Sequence, residues 1–303
     1  MKNRLLMYIL KYIKERFLDL IRGVVIGVAN IIPGVSGGTM MVAMGIYDKL
    51  IYSITHVFKE FKKSILTLLP YLIGMLVGIV VLAFPITWGL NRQPLPTACL
   101  FVGLILGSLP MVLKEMKGEK IGVPGVILFL IFFGLIILQQ ATAGDNTAVF
   151  TLSFTEILKL VVLGMIASAT MIIPGVSGSM MMMLLGYYGI ITGALKSLFS
   201  NFGGSIVILL PVGVGIVLGI FGVSKLIEML LKKAKGLTYC AILGLVAASP
   251  VAIVWTAFRP AEGKVLPTMD ALTIILSLVM LAVGLAIGWY MIQLDKKNQA
   301  KIS

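Results

Sequence analysis

Acids are scarce in this chain, histidine is nearly absent and cysteine is minimal. Of 303 residues, 12 are Asp or Glu, one is His and two are Cys. A metal centre needs a cluster of such ligands, and a disulfide framework needs cysteines in a paired spacing; the sequence has neither, and no cofactor is expected. Cys99 and Cys240 read as small apolar positions. His56, beside the basic stretch 59–63, reads as an interfacial surface residue rather than a catalytic one. Charge of any kind is sparse. Asp, Glu, Lys and Arg together make 12% of the chain, about half of the ~25% usual in a soluble domain. Hydrophobic residues make 59%. Apolar runs such as 66–88 and 122–138 come up to the roughly 20 residues that cross a bilayer. The composition is that of a polytopic membrane protein. No signal peptide is expected, because the first apolar segment is long, is broken by Pro-Gly and lacks a small-residue cleavage site.

The charge that is present is mostly positive, with a formal net value of +13. The 25 Lys and Arg residues sit in short loops between apolar segments. Retention of positive loops on the cytoplasmic side and attraction to anionic lipids account for them, so nucleic acid is not an expected partner.

The chain repeats itself. Ile31-Ile32-Pro33-Gly34-Val35-Ser36-Gly37-Gly38 returns as Ile172-Ile173-Pro174-Gly175-Val176-Ser177-Gly178-Ser179. At the same offset Gly23 matches Gly164, Gly45 matches Gly186, Tyr47 matches Tyr188, Gly74 matches Gly215 and Cys99 matches Cys240. Chance does not give such a match without a gap. An apolar helix interrupted by Pro-Gly and Ser-Gly once in each half is the pattern of a secondary transporter built from two repeats. Repeat 1 is expected over 17–140 and repeat 2 over 157–293. A linker at 141–156, a tail at 294–303 and an amphipathic interfacial helix at 1–16 complete the chain.

Lengths and charges orient the repeats. The arms 18–32 and 39–54 around the first motif, at 1.5 Å per residue, are roughly 22–24 Å long, short of the ~30 Å hydrocarbon layer. Each motif segment, about 18–54 and 157–195, is either a hairpin that enters and leaves on one side or a broken helix that crosses. The re-entrant reading, with three full helices after each hairpin, puts 20 of the 25 Lys and Arg residues on the cytoplasmic side; the crossing reading puts 15 there. The first is favoured. Three crossings per repeat is an odd number, so the second repeat is inverted. The expected fold is an all-α polytopic membrane protein of two inverted-topology repeats, each a re-entrant helical hairpin plus three transmembrane helices. It sits in the cytoplasmic membrane with both termini cytoplasmic.

The motif can hold an anion. Pro33 ends the incoming arm. Ser36 is placed to cap a helix from about Gly38 to Tyr47, and the backbone N–H groups of a helix start suit negative charge. Ser177, with a helix from about Ser179, repeats this from the other side. Two tips meeting at mid-membrane make a polar cradle; the bland alternative is that small residues only let two hairpins pack. Asn30 and Thr39 flank the motif. Arg22, with Asp19 three residues earlier, either guides a phosphate or pairs with Asp19 at the interface. Asp48 and Glu156 are read as solvated hairpin ends. The candidate substrate-binding residues are Arg22, Asn30, Ser36, Gly37, Gly38, Thr39, Ser177, Gly178 and Ser179; no catalytic or metal residue is expected.

Arg22-Gly23, Ala29-Asn30, Pro33 through Thr39 and Gly45-Ile46-Tyr47, with Pro174 through Ser179 and Gly186-Tyr187-Tyr188, resemble a bacterial and archaeal membrane family once catalogued only as a domain of unknown function. That family is now associated with polyprenyl-phosphate translocases. The likeness spans about residues 17–293. It implies transport of undecaprenyl phosphate from the outer to the inner leaflet for carrier-lipid recycling in cell-envelope synthesis. A polyprenyl-phosphate lipid and the bilayer are the implied partners; a coupling ion, proton or sodium, is a candidate third. Two alternatives stand beside this. One is a transporter or channel for a small soluble anion. The other is a polyprenyl-diphosphate phosphatase, whose Pro-Gly-x-Ser-Arg-Ser segment has an Arg where this chain has Gly37 and Gly178. Phosphatase chemistry needs ionisable groups at the motif, and none is there.

Overall fold

A computed structural model describes residues 2–31, 36–119, 121–142, 151–176, 178–259 and 265–299. The regular elements among them are all helices: α1 (Lys2–Ile31), α2 (Gly37–Ala43), α3 (Tyr47–Thr55), α4 (Phe61–Arg92), α5 (Pro94–Glu115), α6 (Val123–Thr142), α7 (Phe154–Ile172), α8 (Gly178–Leu184), α9 (Tyr188–Lys196), α10 (Phe202–Lys233), α11 (Lys235–Phe258) and α12 (Ala271–Gln299). Helix is the form that satisfies every backbone group without water. Among the described residues, seven helices are long and apolar enough to cross a membrane: α4, α5, α6, α7, α10, α11 and α12. Large apolar side chains such as Leu76, Val80 and Phe84 on α4 and Leu278 on α12 face outward, as lipid requires. The protein is a multi-pass, all-helical membrane protein.

Several details depart from expectation. The interfacial helix expected over 1–16 and the first hairpin arm are one continuous helix, since no Gly or Pro interrupts 2–22. The incoming arm of the second motif, α7, has 19 residues and spanning length rather than the shorter length expected. The single helix expected from about Gly38 to Tyr47 is two helices. Gly45, at φ +65°, turns the chain left-handed between α2 and α3. Its N–H donates to Val42 O and that of Ile46 to Met41 O, both at 3.0 Å. This is the paired bonding that ends a helix at glycine. Gly186, φ +83°, does the same between α8 and α9, with Gly186 N–H on Met183 O and Tyr187 N–H on Met182 O. Much of the linker (143–150) and the end of the tail (300–303) lie outside the described residues.

Close helix pairs are built on glycine. A Cβ at Gly23 would lie 2.4 Å from Tyr71 O and one at Gly27 2.2 Å from Met75 O; from the other side, Gly74 meets Leu20 O at 2.0 Å and Gly78 meets Val24 O at 2.4 Å. Each step of four residues on α1 is a step of four on α4, so the two helices run parallel. The segment between them therefore returns to the end where α1 began. Gly164 against Val212 and Gly215 against Val161 repeat the arrangement for α7 and α10. The third helix of each half packs on the other half. Gly103 and Gly107 of α5 meet Leu281 and Leu285 of α12, while Gly125 and Gly244 bring α6 onto α11, both pairs again parallel.

A side chain at these contacts must push two backbones apart. Gly74→Leu and Gly284→Leu are expected to cost about 1–3 kcal/mol or more each. Gly134→Leu, where an added Cβ meets nothing within 4 Å, is expected to be silent. Thermal unfolding in detergent, followed by tryptophan fluorescence, checks this: the first two variants melt several degrees lower and the third with wild type.

Candidate functional site

The two motifs meet in the interior. Ser36 caps α2, its Oγ accepting the Gly38 N–H at 3.2 Å. The same hydroxyl donates toward Ile173 O at 3.4 Å and Thr170 O at 3.5 Å, the carbonyls freed where α7 ends. Asn30 Oδ1 accepts the Gly37 N–H at 3.2 Å. Thr39, fully buried, accepts the Gly175 N–H at 2.6 Å. Its hydroxyl lies 3.5 Å from Ser249 Oγ, and Ser249 donates to Leu245 O. A hydroxyl has one proton, so the order runs Gly175 to Thr39 to Ser249 to Leu245. Gly38 allows the tips to touch, since a Cβ there would lie 2.6 Å from Ile172 O. Gly175, at φ +81°, makes the turn of the second tip.

This junction differs from the cradle that the motif spacing suggests. The N–H groups of Gly37, Gly38 and Gly175 are all taken by side chains of the first hairpin. In this arrangement the tips form a joint. Pro33, Gly34, Val35 and Ser177 lie outside the described residues, as does the side chain of Ser179. Gly178 opens α8, and a Cβ there would lie 2.9 Å from Thr170 Oγ1.

Arg22 is not at the tip. Eight residues of helix separate it from Asn30, about 12 Å. It is buried at the base of the hairpin with Asp19, at 3.3 Å. Asp19 is also held by Lys49 at 3.1 Å and by the Tyr71 hydroxyl, and Lys49 donates to Tyr71 at 3.1 Å. Sequence spacing finds the pair of Asp19 and Arg22. It misses Lys49 and Tyr71, which lie 30 and 52 residues from Asp19 and arrive only because α3 returns and α4 packs beside α1. Among the described residues the hairpin base thus brings Arg22 and Lys49 to the carboxylate of Asp19. At the offset of the repeat the same positions are Leu160, Leu163, Ile190 and Val212. Leu160, Leu163 and Val212 are buried in an apolar cluster. The charged cluster is therefore not needed to build this fold.

The basic loops gather at one end of the molecule. Lys235 pairs with Glu115 at 3.0 Å, the Tyr239 hydroxyl donates to Asp48 at 2.9 Å, and His56 lies 3.7 Å from Glu228. Glu60, just before α4, is held below the usual carboxyl range by hydrogen bonds from Lys63 and Tyr52. Asp48 is exposed there, as expected. Glu156 is not solvated; it is buried, paired to Lys159 at 2.6 Å and to the Tyr187 hydroxyl at 2.9 Å. On α11, Ser249 at the joint is ten residues from Tyr239, about 15 Å further from that end.

A family described as undecaprenyl phosphate translocase-like matches residues 26–265. A protein of Staphylococcus aureus (strain NCTC 8325 / PS 47), named polyprenyl-phosphate transporter, is 32% identical over 245 residues, which is 78% of this chain and 86% of the relative. A protein of Vibrio cholerae serotype O1 with the same name is 29% identical over 241 residues, 74% of this chain and 73% of the relative. No solved structure matches the chain.

The joint makes a direct prediction. Thr39→Val leaves the buried Gly175 N–H without an acceptor and is expected to cost about 1–3 kcal/mol. Thr39→Ser keeps the oxygen and is expected to melt near wild type. Thermal unfolding of both variants in detergent decides it.

Proposed function

The chain belongs to the undecaprenyl phosphate translocase-like family, and on that premise we propose that it carries a polyprenyl phosphate, such as undecaprenyl phosphate, across the cytoplasmic membrane. It acts as a transporter and not as an enzyme. Two relatives named polyprenyl-phosphate transporter, similar over most of the chain, support the substrate class.

The observation that carries the mechanism is the cluster at the first hairpin base. Among the described residues, Arg22 and Lys49 both bear on the single carboxylate of Asp19, so the hairpin base presents two basic side chains side by side. A phosphate monoester carries about −1.5 to −2 near neutral pH. Lys49 is half-exposed and offers the point of first contact, and Arg22 behind it offers two parallel hydrogen bonds. The headgroup then passes the joint. There the Gly37, Gly38 and Gly175 N–H groups exchange their bonds to Asn30, Ser36 and Thr39 for bonds to phosphate as the hairpins part, with Ser177, Gly178 and Ser179 adding donors from the second tip, while the prenyl chain stays in lipid.

Two hairpins that open alternately require inverted repeats, with α1–α3 entering from the cytoplasm and α7–α9 from outside. The helix directions support this. The start of α11 meets the end of α5, where Lys235 pairs with Glu115, and Pro250 and Val254 of α11 lie beside Val102 of α5, so α11 is antiparallel to its counterpart α5. The proximity of Lys49, Lys114 and Lys235 at one end supports a cytoplasmic assignment for that end and for both termini. The repeats are then 17–140 and 157–293.

Leaflet-resolved labelling of the lipid phosphate in proteoliposomes tests the reading. Wild type is expected to flip undecaprenyl phosphate and to leave inorganic phosphate outside. Arg22→Lys slows flipping, and Arg22→Ala slows it about 10- to 100-fold, as the loss of charge-assisted bonds predicts. Near-wild-type flipping by Arg22→Ala removes Arg22 from the pathway. Equal harm from Asp19→Asn makes it a structural partner of Asp19. Topology has its own check: cysteines at Gly118 and Asp145 label from opposite sides of the membrane, and labelling from one side defeats the inverted arrangement.

A further inference from the structure

Between α3, α5 and α11, at the end where the basic loops gather, lies a cavity of about 70 Å³ that the transport path above does not use. Tyr47, Asp48, Glu115 and Tyr239 line it, with Gly45 and Met111 closing one wall. Asp48 and Glu115 are close enough to act on each other electrostatically. Lys235 pairs with Glu115 and also acts on Asp48, while Glu119 faces it as well. Three carboxylates thus share this ammonium, which leaves the cavity negative. Tyr239 spends its proton on Asp48. Tyr47 is 2% exposed, its hydroxyl is buried with no hydrogen-bond partner, and it lies in the field of both Asp48 and Tyr239. A buried unpartnered hydroxyl costs free energy unless it binds something. At the repeat offset both carboxylates are lost, with Gly189 standing for Asp48 and Thr256 for Glu115; Ala98 stands for Tyr239, while Tyr188 keeps the place of Tyr47.

We infer that this cavity binds one monovalent cation, sodium, through the carboxylates of Asp48 and Glu115 and the phenolic oxygen of Tyr47. The donors are all oxygen, which suits a hard ion. Two lining carboxylates, one of them paired with Lys235, suit a monovalent ion, and a divalent ion calls for more carboxylates facing the cavity. An anion is excluded by sign, and a lipid headgroup by volume. Asp48 is exposed at the mouth, so the ion enters from the solvent at that end.

The site also has a path to the phosphate cluster. Asp48 and Lys49 are adjacent on α3, one facing the cavity and the other holding Asp19. An ion drawn in beside Asp48 shifts the residue that carries Lys49. The coupling role rests on the transport reading above; the binding site does not.

The test uses purified full-length protein and radiolabelled sodium at fixed pH, with no lipid substrate present. Saturable binding of one ion per chain is expected. Asp48→Asn abolishes it, and Glu115→Gln weakens it by about tenfold or more. The decisive variant is Tyr47→Phe. It removes a hydroxyl that bonds to nothing in the protein, so a purely structural role predicts unchanged or higher stability and unchanged binding. The site predicts weakened sodium binding at intact thermal stability. Absence of saturable binding in wild type, or full binding in Asp48→Asn or Tyr47→Phe, overturns the inference. Flipping measured in parallel, in sodium and in choline, separates the two claims. Sodium binding without lipid flipping leaves the site standing and removes the transport reading. Flipping without sodium binding does the reverse.

Discussion

A chain that breaks its helices inside an apolar layer must satisfy the freed backbone groups itself, and the interior of this protein is organised around that need. α1 ends and α2 begins at the first tip; α7 ends at the second. Each break releases N–H and C=O groups. Asn30, Ser36 and Thr39 take three of the donors, and Ser36 faces the carbonyls at the end of α7. Neither hairpin could be buried alone at this depth. Each supplies part of the solvation of the other. Gly38 serves the same end, because a Cβ there would lie 2.6 Å from Ile172 O and hold the two tips apart.

Much of this can be read from the sequence, and for identifiable reasons. The repeat is legible because residues with special backbone roles survive in both copies: Gly45 and Gly186 make the same left-handed turn, and Ser36 caps where a capping residue is expected. Local interactions such as the pair of Asp19 and Arg22 are legible because they follow helical spacing. What escapes is everything that depends on which helices become neighbours. Lys49 and Tyr71 reach Asp19 through a chain reversal and a parallel packing that no spacing encodes. Glu156 reads as a solvated hairpin end, yet Lys159 and Tyr187 enclose it. The motif suggests an anion cradle because helix starts attract anions in general; the donors here are already occupied by side chains a few residues away or across the joint. Length arithmetic on the arms fails for α1 because the preceding amphipathic stretch is continuous with it.

The two halves share a backbone plan and differ in what they bury. Where the first hairpin base holds Asp19, Arg22 and Tyr71, the second holds Leu160, Leu163 and Val212. Where α3 presents Asp48 and Lys49, α9 presents Gly189 and Ile190. At these positions the second copy is held by apolar packing. The first carries the same plan at the added cost of desolvating charge, which is a heavy cost unless the charge is used. Asymmetry inside a duplication thus marks the buried charges that the shared backbone plan does not require, with no need to compare different proteins.

The exchange of third helices has a consequence for how the protein is made. The glycine face of α5 is covered by α12, whereas α11 is met by α6, which precedes it in the chain. During synthesis the first repeat leaves the ribosome with α6 awaiting α11 and α5 awaiting the very last helix. Neither half can close its own packing, so assembly has no stable halfway point, and the two halves are committed to one another before either is finished. Loop-closure entropy across most of the chain must be met before that final contact repays it. A chain cut short before α12 would carry an open groove of backbone along α5 into the bilayer, a surface that quality-control machinery could recognise as incomplete.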